Sequence, residues 1–271
     1  MTSPDSLARL LAAARVFDLE QPRFAGMPLH PAHHPGYFYA LYRRHRDNYR
    51  PDRDGPRSSS SGVLTMMEHS GTHIDALCHQ ACDLEMHGGV RVEEAETSSG
   101  FKQLGIETVA PLLARGVLLD VAAWKKVERL PPAYGIAASE LEDCAQAEGV
   151  TVDRGDVLLV RTGFGALWKD ANAYGQAAGV SKSGTIWAAD RGIVAAGADN
   201  LVWDTLEERD PETNSTLFAH IHLLQRHGIY ILENLDLEAL SAAKAYTFAF
   251  VGIPLKLRGA TGSPIRPLAL M

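Results

Sequence analysis

The sequence predicts an α/β fold in a single domain that spans residues 1–271, and three observations support this. Short apolar runs, typical of strands that are buried on both faces, occur at residues 116–121, 156–163 and 229–233. Segments with helical features separate such runs in the second half of the chain. No internal repeat and no change in composition divides the chain. Together these patterns indicate one α/β core.

The predicted elements can be placed along the whole chain. Helices are expected at residues 6–14, with Asp5 or Ser6 as the cap, and at 139–148, 185–196, 220–226 and 235–243. Strands are expected at residues 16–19, 63–67, 116–121, 156–163, 200–204, 229–233 and 246–255. The segment 24–57, rich in His, Pro, Arg and aromatic residues, is expected to form an ordered wall or lid over a pocket, or else an oligomer contact. Residues 58–62 are expected to be a flexible joint.

Composition and charge exclude several classes of protein. Hydrophobic residues make up 46% of the chain and charged residues 22%, as in ordinary globular proteins. A formal net charge of −7 argues against nucleic acid or an anionic membrane as the main partner. No apolar run has the length of a membrane span, and residues 1–6 lack the features of a signal peptide. The three cysteines, Cys78, Cys82 and Cys144, suit a reducing compartment, so we expect a cytoplasmic protein.

A dense group of imidazole and carboxylate side chains follows the strand predicted at residues 63–67. His69, His73, Asp75 and His79 fall within 69–79. Imidazole and carboxylate together suit a divalent ion such as Zn or Mn. On an extended segment His73 and Asp75 face the same side, and a turn at Gly71 would bring His69 towards them. We therefore predict a metal site, with His79 close to the ion without being a required ligand.

The segment 69–79 resembles the His-x-Gly-Thr-His-x-Asp-x-x-x-His signature of the metal-dependent cyclase/hydrolase family, which includes bacterial kynurenine formamidase and isatin hydrolase. Residues 161–163, 197–200 and 259–267 also match that family, so the resemblance spans nearly the whole chain. It implies a compact swivelling β/β/α fold with a barrel-like mixed sheet. It also implies a homo-oligomer, either a dimer or a tetramer.

The same resemblance implies a second half of the metal site within residues 220–235. His220 and Glu233 correspond to the histidine and glutamate that close the family's site, and His222 is the competing assignment. Glu233 ends an apolar strand, where a carboxylate is costly to bury unless it is paired or bound to a metal. Asp204 and Glu207 are expected to make structural hydrogen bonds. One or two ions are expected, the first held by His69, His73 and Asp75, and the second by Asp75, His220 and Glu233.

These residues predict metal-assisted hydrolysis, with His79 carrying a proton from the attacking water to the leaving group. No Gly-x-Ser-x-Gly elbow is present, which argues against a serine hydrolase. The expected substrate is a small isatin-like cyclic amide, contacted by Phe38, Tyr39 and His34 from the segment 24–57. N-formylkynurenine, as for an arylformamidase, or a lactone is the alternative substrate. A non-catalytic metal or small-molecule binding protein and a polyketide cyclase are the alternatives from other classes.

Overall fold

The computed structural model describes residues 4–206 and 208–271. Its strands are β1 (Val16–Asp18), β2 (Phe38–Arg43), β3 (Ser61–Thr65), β4 (His73–Asp75), β5 (Glu96–Thr97), β6 (Gly100–Phe101), β7 (Leu112–Leu119), β8 (Gly135–Ile136), β9 (Val157–Val160), β10 (Gly179–Val180), β11 (Ala195–Ala198), β12 (Tyr230–Glu233), β13 (Thr247–Gly252), β14 (Gly262–Pro264) and β15 (Leu268–Leu270).

The helices are mostly short. The α-helices are α1 (Pro4–Ala13), α2 (Pro51–Asp54), α3 (Val92–Ala95), α4 (Val121–Trp124), α5 (Ala138–Glu148), α6 (Ala171–Tyr174), α7 (Lys182–Asp190) and α8 (Glu238–Ala243). A π-helix spans His220–His227. Turns of 3₁₀-helix lie at Pro31–His33, His45–Asp47, Leu77–His79, His87–Gly89, Ile106–Thr108 and Phe164–Leu167.

A curled nine-stranded mixed sheet organises the chain, in the order β1-β15-β13-β7-β9-β11-β12-β4-β14. The pairs β7–β9, β9–β11 and β11–β12 are parallel, and the outer pairs are antiparallel. The predicted mixed, barrel-like sheet is therefore confirmed. The segment with the predicted metal ligands enters this sheet as β4, between β12 and β14.

Two apolar cores, one on each face of the sheet, explain why the central strands lack polar residues. Along β9, Leu158 and Val160 belong to one core, whereas Val157 and Leu159 belong to the other. Because successive strand side chains point to opposite faces, a strand covered on both sides must be apolar throughout. The first core packs beneath α5, α7 and the π-helix, and the second contains β13 and α8 side chains.

Two predicted elements between residues 185 and 204 are wrong. The helix lies at Lys182–Asp190, and Ala195–Ala198, which overlaps its predicted end, is the strand β11. Of residues 200–204, predicted as a strand, 200–203 form bends and Asp204 makes an isolated bridge with Val180. β11 consists of Ala and Gly, so it lacks the β-branched residues by which strands are recognised in a sequence. The small side chains are required because neighbouring residues are close: a Cβ on Gly197 would lie 2.8 Å from Leu235 Cδ1 and 2.9 Å from Leu159 Cδ2.

The N-terminal region also differs from prediction. The first helix begins at Pro4, so Asp5 and Ser6 lie within it and neither is its cap. The segment expected to be a wall or lid divides into a cavity wall that ends near the Pro31–His33 turn and an antiparallel hairpin, β2–β3, which is exposed along its length. The expected flexible joint at 58–62 instead runs into β3. Within 4–206 and 208–271, no helix has the length and apolarity required to cross a membrane.

Candidate metal centre

The first half of the centre is built by a turn followed by a three-residue strand. Gly71 takes a positive φ of 66°, as the predicted turn requires, and places His69 beside β4. His73 and Asp75 lie two residues apart on β4 and face the same side, while Ile74 points into the apolar core. All three polar side chains are buried. The structure thus brings together the three residues predicted for the first ion.

The ligand atoms of this first group lie close enough to share one ion. His69 Nδ1 is 2.7 Å from Asp75 Oδ1, and His73 Nε2 is 3.5 Å from the same oxygen. One donor atom from each residue lies within 4.8 Å of the other two. With Nδ1 facing Asp75, the opposite nitrogen of His69 lies 2.8 Å from Thr261 Oγ1. A histidine ligand commonly donates its other N–H in this way, which holds the ring in place.

The second half of the centre comes from the π-helix and β12. His220 Nε2 lies 3.8 Å from Asp75 Oδ2 and 3.6 Å from Glu233 Oε1. Glu233 Oε2 also lies 3.3 Å from His73 Nε2, because His73 and Glu233 are register partners in the sheet. Asp75 therefore stands between the two halves, in the position predicted for a shared ligand.

Asp204 orients His220 towards the centre. Its Oδ2 accepts a hydrogen bond from His220 Nδ1 at 2.9 Å, and its Oδ1 accepts one from the Ala219 backbone N–H at 2.6 Å. With Nδ1 acting as a donor, Nε2 of His220 faces the carboxylates, where it can bind an ion once it has lost its proton. The structural hydrogen bond predicted for Asp204 is present, whereas Glu207 lies outside the described residues.

The competing residue, His222, lies away from the centre. Its ring stacks on Phe218 at a centroid distance of 4.9 Å and contacts the ring of His227 at 4.5 Å. Neither ring nitrogen has a hydrogen-bond partner among the described residues. Geometry therefore selects His220 over His222 as the histidine that can reach the predicted ions.

His79 borders both halves of the centre from the 3₁₀ turn Leu77–His79. Its ring stacks on His69 at 4.0 Å and meets His220 edge-on at 6.0 Å. One donor atom each of Asp75, His79 and His220 also lie within 4.8 Å of one another, so the geometry allows His79 to act either as a ligand or as a proton carrier. Burial lowers the pKa of His79 to about 3, which leaves its ring neutral.

The electrostatics of the centre favour a bound cation. Burial opposes ionisation of Asp75, but His79, His69 and His73 outweigh it and hold the pKa of Asp75 well below its usual range. Burial likewise works against a charged His220, yet Asp204, Glu233 and Asp75 raise its pKa to about 9. Asp75 Oδ2 is buried and has no hydrogen-bond partner among the described residues. An orphaned carboxylate oxygen facing imidazole nitrogens fits a divalent ion.

The cysteines beside the motif are not arranged as metal ligands. Cys78 is buried, and burial raises the pKa of its thiol to about 12, so that a thiolate is disfavoured. Its Sγ instead lies 3.6 Å from the carbonyl oxygen of Ala260.

A cavity of about 200 Å³ opens onto the centre. His79, His220 and Glu233 line its floor, an apolar wall includes Leu201, Val202 and Leu217, and the opposite wall comes from the segment Pro28–His33. The cavity is therefore the place where a small molecule can reach the predicted metal ligands.

The structure does not bring the predicted substrate contacts to this cavity. Phe38 and Tyr39 lie on the protruding β2–β3 hairpin, where their side chains are 55% and 53% exposed. His34 is exposed, because the 3₁₀ turn at Pro31–His33 directs the chain away from the cavity after His33. His30 and His33 line the cavity instead. The signal that was missed is Pro31, which favours a turn directly after His30.

Comparison with known proteins places the chain in a family. A family model described as putative cyclase matches residues 17–205. The chain belongs to the putative cyclase family. A crystal structure described as a novel cyclase superposes with a TM-score of 0.85 at 27% identity, covering 99% of this chain and 92% of the other. The fold predicted from the signature is therefore confirmed.

Several proteins that are similar to this chain in sequence or fold are described as hydrolases. Kynurenine formamidase from Bacillus cytotoxicus is 24% identical over 220 residues, covering 78% of this chain and 80% of the relative. Isatin hydrolase A from Ralstonia solanacearum shares the fold, with a TM-score of 0.76 at 22% identity, and covers 100% of this chain and 99% of the other. The relatives and the His-His-Asp group together support a metal-dependent hydrolase.

Proposed function

We propose that this protein is a metal-dependent hydrolase that opens a small cyclic amide of the isatin type. The observation that carries the proposal is the buried group of imidazoles and carboxylates around the orphaned oxygen of Asp75, at the floor of a cavity. Histidine and carboxylate side chains are rarely buried together in one cluster unless they form a binding or catalytic site. The similarity to formamidases and isatin hydrolases supports hydrolysis next to a carbonyl.

The residues that would hold metal are those that the two halves bring together. The first ion is assigned to His69, His73 and Asp75, and the second, where one binds, to Asp75, His220 and Glu233. A divalent ion such as Zn or Mn would acidify a water molecule and polarise the substrate carbonyl. Buried surroundings strengthen these electrostatic effects, because little water competes for the same groups.

His79 is the proposed proton carrier. Its ring contacts His69 from one half of the centre and His220 from the other, at the floor of the cavity. A neutral imidazole there accepts a proton from the attacking water and returns it to the leaving nitrogen as the amide C–N bond breaks. The apolar residues Leu201 and Val202 provide a surface for the flat ring of the substrate.

A substrate panel tests the reaction class. Purified protein is analysed for bound metal and assayed with Zn or Mn against isatin, N-formylkynurenine and a dienelactone. We expect isatin to be opened fastest. Preferential turnover of N-formylkynurenine would make the protein an arylformamidase, and preferential turnover of the dienelactone would make it a lactone hydrolase. Tight metal binding without turnover of any of them would refute hydrolysis and favour a binding protein or a polyketide cyclase.

The variant His79→Ala tests the assignment of the proton carrier. We expect metal content to stay at the wild-type level and turnover to fall by about 10²- to 10⁴-fold, the usual contribution of a general acid–base. His227→Ala is the matched control, because His227 is an exposed histidine outside the cavity. Loss of metal from His79→Ala would show instead that His79 is a ligand.

A further inference from the structure

The wall of the cavity carries a histidine with a defined orientation. His30 is half-buried and immediately precedes the 3₁₀ turn Pro31–His33. The backbone N–H of His33 donates to the carbonyl oxygen of His30 at 2.9 Å, which closes this turn. His30 therefore sits on an ordered part of the wall rather than on a loose loop.

The hydrogen bond within this turn determines which nitrogen of His30 carries the proton. His30 Nδ1 accepts a hydrogen bond from the backbone N–H of Ala32 at 3.3 Å. Burial lowers the pKa of His30, so the ring is neutral at pH 7. A neutral imidazole whose Nδ1 accepts has its N–H at Nε2. No acceptor for that N–H is found among residues 4–206 and 208–271.

Two amide side chains that line the cavity also make hydrogen bonds within the protein. Gln80 donates through Nε2 to the carbonyl oxygen of Ala81 at 2.9 Å. Asn234 donates to the carbonyl oxygen of Gly71 at 3.1 Å, and its Oδ1 accepts from a tyrosine hydroxyl. Each of these two amides thus uses an N–H inside the protein, whereas the Nε2 N–H of His30 has no acceptor among the described residues.

The position of His30 places this donor near the metal centre without contact to its ligands. The ring of His30 lies 5.7 Å from that of His33, which in turn stacks on His69 at 4.9 Å. The charges of Glu233 and His220 both act on His30, which puts it within electrostatic range of the cavity floor. His30 therefore lines the same cavity as His79, His220 and Glu233, and a small bicyclic ligand in that cavity can contact both His30 and the floor.

We propose that His30 Nε2 donates a hydrogen bond to a second carbonyl oxygen of the substrate, adjacent to the carbonyl that is attacked, and so selects substrates with two neighbouring carbonyls. This inference rests on the proposed function and names a specificity residue for it. A site that donates to a substrate oxygen favours the substrate over the analogue that lacks this oxygen, because only the substrate forms the hydrogen bond.

Isatin and oxindole form the pair of probes, since oxindole lacks only the second carbonyl. We compare the KM for isatin and the inhibition constant of oxindole in the wild type, His30→Leu, His30→Gln and His227→Leu. His30→Leu is expected to raise the KM for isatin roughly 3- to 10-fold, the worth of one neutral hydrogen bond, with unchanged metal content. Oxindole inhibition is expected to stay constant within about twofold. His30→Gln, which keeps a donor, and His227→Leu, a control at an exposed histidine outside the cavity, are expected to resemble the wild type.

The outcomes separate this inference from the proposed function. If His30→Leu leaves the KM for isatin unchanged, or weakens isatin and oxindole equally, the role of His30 is refuted while isatin opening stands. If the wild type does not open isatin, the proposed function is refuted, and calorimetric binding of both probes to the metal-loaded protein replaces the kinetic constants. A preference for isatin over oxindole that disappears in His30→Leu then supports the hydrogen bond, and its persistence overturns it.

Discussion

Replacement of Asp204 by Asn tests how far a residue outside the metal ligands controls metal binding. The two oxygens of Asp204 accept from two donors, His220 Nδ1 at 2.9 Å and the Ala219 backbone N–H at 2.6 Å. An Asn side chain has one acceptor oxygen and one NH₂ group. Whichever way the amide is turned, one of these two donors meets another donor, so one hydrogen bond is lost.

The magnitude follows from the kind of bond that is lost. A hydrogen bond to a charged acceptor contributes about 1.5 to 3 kcal/mol, which corresponds to roughly 10- to 100-fold in an equilibrium constant. Loss of a carboxylate that holds a metal-bound histidine has effects in the same range. Because Asp204 also raises the pKa of His220 to about 9, protons compete with the ion at neutral pH and conceal part of the loss. The full effect is therefore expected near pH 9.

The assay is competition between the protein and a chromogenic chelator for Zn or Mn, at about pH 7 and about pH 9. Asp210→Asn is the matched control, because Asp210 pairs with Lys182 at 2.6 Å and makes no bond to His220. We expect Asp204→Asn to weaken metal binding more at the higher pH and Asp210→Asn to leave it unchanged. Equal affinities of wild type and Asp204→Asn at both pH values would refute the positioning of His220 by Asp204.

Two further substitutions probe the packing and the pH dependence of the fold. A Cβ on Gly262 would lie 2.6 Å from His69 Cε1 and 2.9 Å from the Ile74 carbonyl oxygen. Gly262→Ala is therefore expected to lower the amount of bound metal, measured by elemental analysis, and to destabilise the fold by about 1 to 3 kcal/mol. Gly36→Ala is the control, because its Cβ would meet one Leu29 atom at 3.5 Å, and equal metal content and stability of the two variants would contradict this expectation. Burial and the nearby Asp120 raise the pKa of Glu148 from 4.5 to about 7. Folded Glu148 thus keeps a proton that the unfolded chain releases, and stability falls as the pH rises from 4.5 through 7. Glu148→Gln is expected to lose less Tm than the wild type between about pH 5 and about pH 8, and parallel Tm profiles would argue against a raised pKa.

The metal half-site on β4 could be read from sequence because its information is local. His73 and Asp75 share a face through the two-residue period of a strand, and Gly71 supplies the turn for His69. The residues around His220 show no local pattern of this kind that would distinguish a metal ligand from its neighbours. Sequence alone left His220 and His222 in competition, and the choice depends on the contact of His220 with Asp204, which is set by tertiary packing.

The remaining errors have physical causes of the same kind. β11 consists of Ala and Gly because both of its faces are crowded, so the usual β-branched signal is missing. The cavity wall depends on where one turn directs its neighbours, and in this structure His30 and His33 line the cavity. Substrate contact by Phe38, Tyr39 and His34 and the expected homo-oligomer stay predictions.

The pairing of β4 with its two neighbours links the chemistry of the centre to the alignment of the sheet. His73 is opposite both Glu233 on β12 and Pro264 on β14. A slip of one residue in either direction would turn His73 and Asp75 into the apolar core and Ile74 towards the cavity. An ion held by both halves would link parts of the chain that are distant in sequence. Its binding free energy would therefore stabilise the strand register that brings these parts together. Bound metal would then stabilise the native register of β4 over registers shifted by one residue, because only the native register brings the two halves of the centre together.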